Sequence, residues 1–141
     1  MKKIILTVIG VMLAASAAFA QDVIGKWKLD DGTAIVEVYK NGYEYNGRIV
    51  WLEEPTEDDG TPAKDINNPD PALRKRELIG LNMLSGLLQT GKNEYSGGKI
   101  YDPGNGKTYN CSMKVEGNVL KVRGSLDKKG LLGRTMDWFR Q

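Results

Sequence analysis

The sequence predicts an all-β fold, an up-and-down antiparallel β-barrel of about eight strands with one short helix. Three observations lead there. Apolar and polar residues alternate through most of the chain beyond residue 22, the period of a strand with one buried face. Turn-forming runs such as Asp-Asp-Gly, Asn-Gly and Glu-Gly-Asn separate the alternating stretches at short intervals. Hairpin then follows hairpin without a crossover-length connection, which favours closure of one sheet on itself and removes open edges.

The chain opens on a segment with the marks of export. Lys2 and Lys3 precede an apolar run from Ile4 to Ala15, and Ala18-Phe19-Ala20 fits the small-x-small cleavage pattern. The run is short for a bilayer crossing, which takes about 20 apolar residues. No cysteine follows the cleavage site to carry a lipid. Residues 1–20 are therefore read as a cleavable signal peptide and residues 21–141 as one barrel domain, secreted or periplasmic and soluble once the signal is removed. Of 20 basic and 18 acidic side chains, the signal carries Lys2 and Lys3 and no acid, so the remainder is formally neutral at 18 of each. A neutral, exported chain is a poor match to nucleic acid, whose phosphates call for a basic face.

In the first alternating stretch, Val23, Gly25, Trp27 and Leu29 share one face, and Asp30-Asp31-Gly32 turns the chain. Val36 and Val38 define the next strand, Asn41-Gly42 is a two-residue hairpin signal, and Tyr43, Tyr45, Gly47, Ile49 and Trp51 line one face of the third. Residues 53–70 are acidic and proline-rich with no apolar period, the pattern of a long loop. Asp70 and Pro71 suit the cap and first position of a short helix ending near Glu77. Glycines at 80, 86 and 91 disfavour continuing it, so residues 83–89 read as a strand. Three more strands follow across 94–126, with Tyr109, Cys111, Met113 and Val115 on one face and Leu120, Val122, Gly124 and Leu126 on another. The segment from Leu131 to Arg140 is the last strand.

Histidine is absent. That removes imidazole bases, Ser-His-Asp and Cys-His nucleophile systems and HExxH metal sites together. Cys111, the one cysteine, has no partner for an internal disulfide, and its place in an alternating run predicts a buried, inert thiol. Asp58, Asp59 and Asp65 lack the regular spacing of a calcium loop. Asp102 heads "DPGNG", which a tight turn requires for its own backbone. The sequence thus implies no catalytic residue, metal or cofactor.

Gly25-Lys26-Trp27 on the first strand of such a barrel is similar to the lipocalin and calycin signature. The longer blocks "VEVYKNGYEYNGRIVWLEEP", "NPDPALRKRELIGL", "GGKIYDPGNGKTY", "LKVRGSL" and "GRTMDWFR" resemble the bacterial family of unknown function DUF2147, in order and over essentially the whole mature chain. The resemblance implies a lipocalin-like barrel whose tryptophan, Trp27, packs at a closed end beneath an arginine from near the C-terminus, here Arg140. It implies no chemistry. Gly25, Trp27 and Arg140 are thus the candidate barrel-closing residues. Val36, Tyr45, Trp51, Tyr109, Met113, Val122 and Trp138 are the candidates for lining the lumen. A barrel this small either fills with side chains or holds one small ligand. The residues leave open whether the partner is a small, mostly apolar ligand in the lumen or an envelope protein met by the 53–70 loop and the barrel mouth.

Overall fold

The structure, a computed structural model, describes residues 22–141; residues 1–20, read from the sequence as an export signal, lie outside the described residues. Eight antiparallel strands close into a barrel in chain order. They are β1 (Gly25–Lys28), β2 (Ala34–Asn41), β3 (Glu44–Leu52), β4 (Asn82–Gly91), β5 (Glu94–Asp102), β6 (Lys107–Glu116), β7 (Val119–Ser125) and β8 (Gly133–Arg140). The seam is short. Only Trp27 against Arg140 and Lys28 against Phe139 register β1 on β8, and Gln141 adds an N–H donated to the Lys26 carbonyl.

Inward residues of every strand meet in one apolar core, with Trp27, Val36, Val38, Leu84, Leu87, Leu120, Val122 and Trp138 fully buried. Cys111 belongs to it, and burial pushes its thiol up to about 12, so it stays protonated at neutral pH.

Bulges break the alternation, and those in β3, β4 and β5 account for the expectations that the fold revises. In β3, Val36 faces Ile49 while Ile35 faces Trp51, so Val50 is an extra residue. Past such a residue every side chain changes face. Ile49 points into the core, whereas Trp51 stands on the outer surface, 39% exposed, with the Lys28 ammonium 4.9 Å from its ring. Trp51 therefore does not line the lumen. In β4, Gly86 takes a φ of 69° and donates its N–H to the Asn46 side chain at 2.9 Å. A residue with Cβ would be strained there, and the bend explains why residues 82–91 show no clean period. Gly97 plays the same part in β5, with a φ of 78°.

Turn chemistry sets the first hairpin one residue later than the Asn-Gly pair suggests. Asn41 pairs with Glu44, so Gly42 (φ 66°) and Tyr43 form the turn, the Gly-first pattern of tight hairpins. Tyr43 is carried into solvent and does not share the inner face with Tyr45.

The connection from β3 to β4 folds back over the outer wall. Its helix is shorter than the sequence suggests, a single 3-10 turn at Pro71–Leu73 capped by the Asp70 carboxylate on the Ala72 N–H. It stops there because the following residues are taken by another partner. Glu77 bridges to Lys64, and the Asp65 N–H is donated to the Arg76 carbonyl. Arg74 and Lys75 only complete a turn, and from Arg76 the backbone pairs with Lys64 and Asp65 in place of a continuing helix.

Candidate functional site

Odd-numbered strands start and even-numbered strands finish at one end of the barrel, and the two ends differ. At the first end the interior is filled. The Trp27 indole lies across it, donating its N–H to the Val23 carbonyl at 2.9 Å. The Arg140 guanidinium sits 4.2 Å from the Trp27 ring centre and donates to the Asp22 carbonyl at 2.8 Å. This arrangement combines cation–π attraction with satisfied N–H groups. Gly25, at a φ of 136°, lets the chain turn in beneath that guanidinium. Above this layer Tyr45 and Tyr95 meet edge to face at 4.8 Å.

At the second end the four connections β1–β2, β3–β4, β5–β6 and β7–β8 surround a mouth. A cavity of about 480 Å³ runs from it into the barrel. Met83, Ile100, Met136 and Trp138 make its apolar inner wall, with Tyr109 to one side. Gly124 also faces it, and a Cβ there would find Ile100 and Tyr109 only at ordinary contact distances of 3.5 and 3.7 Å. The rim is polar: Asp30 and Asp31 on one side, Asp102 and Asn105 on another, and Arg134 on β8. Leu126 and Leu132, at the two ends of the β7–β8 connection, complete the lip.

One donor in this wall is available to a guest. The Trp138 side chain backs the cavity but is fully buried, its indole N–H out of a guest's reach and without an acceptor among the described residues. The Tyr109 hydroxyl accepts from Asn105 at 3.1 Å and keeps its own proton to donate.

Of the seven residues expected to line the lumen, the structure puts two, Tyr109 and Trp138, on the cavity wall. Val36, Tyr45, Met113 and Val122 point inward but are packed in the core, and Trp51 points outward. Met83, Ile100 and Met136 were not singled out from the sequence. Met136 was within reach, since it lies two residues before Trp138 on one strand and so shares its face. Met83 was hidden by the irregular pattern of β4.

The long connection is pinned by a group the sequence does not distinguish from its acidic neighbours. Asp65 is fully buried. Its carboxylate accepts from the Tyr101 hydroxyl at 2.6 Å, from Asn68 at 2.8 Å and from Arg76 through Nε at 3.0 Å and Nη2 at 2.9 Å. Burial by itself raises the Asp65 pKa, but these donors together outweigh it and hold the carboxyl below its ordinary value. Burial and the bond to Asp65 push the Tyr101 phenol up to about 12. Asn67 donates to the Pro103 and Gly104 carbonyls, fastening the same segment to the β5–β6 turn. A Cβ on Gly106 would collide with the Asn67 carbonyl oxygen. A larger groove of about 800 Å³ lies outside the barrel beside this segment. It is a shallow hollow with charged walls, including Arg76, Glu77 and Lys99, and lacks the enclosure that ligand pockets have.

A closed eight-stranded up-and-down barrel, open to a cavity at one end only, is a lipocalin-like fold. A similar solved structure is that of protein HP1028 from the human pathogen Helicobacter pylori, described as belonging to the lipocalin family. It superposes with a TM-score of 0.77 at 29% identity, covering 85% of this chain and 83% of that one. The chain itself belongs to the family described as uncharacterized protein conserved in bacteria (DUF2147), which it matches over residues 25–140. No curated protein matches it.

Proposed function

We propose that this protein is an exported, non-catalytic binding protein that holds a small, mostly apolar ligand in the mouth half of its barrel in the periplasm. The cavity carries the reading. It opens at the barrel mouth, is apolar on its inner wall, polar at its rim and large enough for a small organic molecule. The lipocalin-like fold supports it, and the signal-like residues 1–20 support the compartment. The Tyr109 hydroxyl, whose proton is uncommitted, gives the ligand one feature, a hydrogen-bond acceptor on that side. The alternative, a protein partner met by residues 53–70, draws less support. The most deeply placed polar groups of that segment, Asp65 and Asn68, are spent on each other, on Arg76 and on Tyr101.

An environment-sensitive naphthalene sulfonate dye tests this. It should brighten on mixing with residues 22–141, with energy transfer from tryptophan that drops in Trp138→Phe. Gly124→Leu places a side chain into the cavity and should abolish most of the brightening while circular dichroism stays unchanged. Undiminished brightening in a folded Gly124→Leu protein would overturn the proposal. Mass spectrometry of native protein from its own cells would then identify the natural guest.

A further inference from the structure

The β7–β8 connection, residues 126–132, has a composition and geometry that ligand holding does not explain. Leu126, Leu131 and Leu132 are 73%, 76% and 67% exposed, and Lys128 and Lys129 lie between them. Neither lysine forms a salt bridge among the described residues. Arg134 adds a third cation at the start of β8 and also lacks an ion pair there.

Nor is the connection loosely built. The Asp127 carboxylate accepts the N–H groups of Leu131 at 3.0 Å and Leu132 at 2.7 Å. The Leu126 N–H goes to the Leu132 carbonyl and the Gly130 N–H to the Asp127 carbonyl. Arg123 donates to the Gly130 carbonyl at 2.6 Å. Backbone amides beside the leucines are therefore satisfied from within, which lowers the cost of taking this tip out of water.

We infer that this lip is a membrane-docking element, which seats its leucines at the surface of a bilayer containing anionic lipid. Lys128, Lys129 and Arg134 supply the complementary charge, and lysine stems can lie along the apolar layer while their ammonium groups reach phosphate. Strand order sets the tilt. In a barrel closed in chain order, the β3–β4 connection with Glu53, Glu54, Glu57, Asp58 and Asp59 lies across the mouth from β7–β8. Docking on the leucine lip turns that acidic side away from the surface. Leu126 and Leu132 also line the cavity, so the lip is continuous with the inner wall, and a ligand of low water solubility can pass from bilayer to barrel along apolar groups. This last step rests on the ligand-holding reading; the docking surface does not.

Flotation of residues 22–141, which carry the whole closed barrel, with lipid vesicles tests the inference. The protein should float with vesicles of phosphatidylcholine and phosphatidylglycerol, less with phosphatidylcholine alone, and less again as salt rises. Leu131→Glu changes a side chain outside the cavity wall and should weaken flotation about tenfold while leaving dye brightening intact. Lys128→Glu with Lys129→Glu should remove the preference for anionic vesicles. No flotation with either vesicle, flotation of Leu131→Glu equal to the parent, or a dimer that masks Leu131 in place of vesicle binding would each overturn the inference. The two readings fail separately. Dye uptake without flotation removes docking alone, and flotation without dye uptake removes the ligand site alone.

Discussion

The two ends of this barrel are made from the same strands and do opposite things. At the end closed by Trp27 and Arg140 the side chains fill the space, and the Trp27 indole N–H is matched by the Val23 carbonyl. At the mouth the strands surround a cavity with an apolar inner wall and a polar rim. The two inward glycines mark the difference. A Cβ on Gly47 would lie 2.8 Å from Val36 and 2.9 Å from Leu84, closer than packed atoms come, whereas one on Gly124 meets nothing nearer than 3.5 Å. One end is spent on stability, and the other keeps room in reserve.

The sharpest way to break this comparison is at Trp27. Trp27→Ala should cost about 3–5 kcal/mol in chemical denaturation, the range for a large buried aromatic, while the surviving folded protein keeps dye affinity. Loss of dye binding in step with stability would mean that the ends are not independent. Asp65→Asn comes next, at about 2 kcal/mol from weakened hydrogen bonds to a buried charge. Its signature is pH dependence. The Asp65 carboxyl is held below its ordinary value of 3.8 in the folded protein, so its contribution is complete above that value. It is lost as pH falls through the depressed folded value. The acid limb of the melting profile should therefore flatten in Asp65→Asn, and amide exchange should quicken first in residues 63–78.

Smaller effects refine the contrast. Gly47→Ala should destabilise by about 1–2 kcal/mol through overpacking against Val36 and Leu84. Gly124→Ala should change stability by less than about 1 kcal/mol, towards greater stability because the unfolded chain loses freedom. It should also measurably reduce dye affinity by narrowing the cavity. Equal melting shifts for the two glycine variants would mean that the mouth is as tightly packed as the closed end.

How much of this is written in local pattern follows from what local pattern encodes. Strand count, order and hairpin connection were legible because alternation and turn residues are properties of a few neighbouring positions. Trp51 was placed on the wrong face because one extra residue, Val50, reverses everything after it, and nothing in "GRIVWL" marks the extra residue. The helix at 71–77 was overextended because its continuation was decided by Lys64 and Asp65, which approach it only in the folded chain. For the same reason Asp65 looked like one more acid in an acidic stretch. Tyr101 and Arg76, which make it different, are distant in sequence. Most of the cavity wall went unread because periodicity separates inside from outside but not filled from empty.

The seam between β1 and β8 has a consequence for how the chain reaches this state. Arg140 and Asp22, joined across it, stand 118 residues apart, so closure brings together nearly the whole chain and belongs to the late, slow part of folding. Until β8 closes on β1, those two strands are bare edges of an open eight-stranded sheet, with backbone donors and acceptors ready to pair with a neighbouring molecule. Two register pairs thus decide between a surface without edges and one that can recruit copies of itself. Pairing of β8 with β1 is this fold's protection against edge-to-edge aggregation.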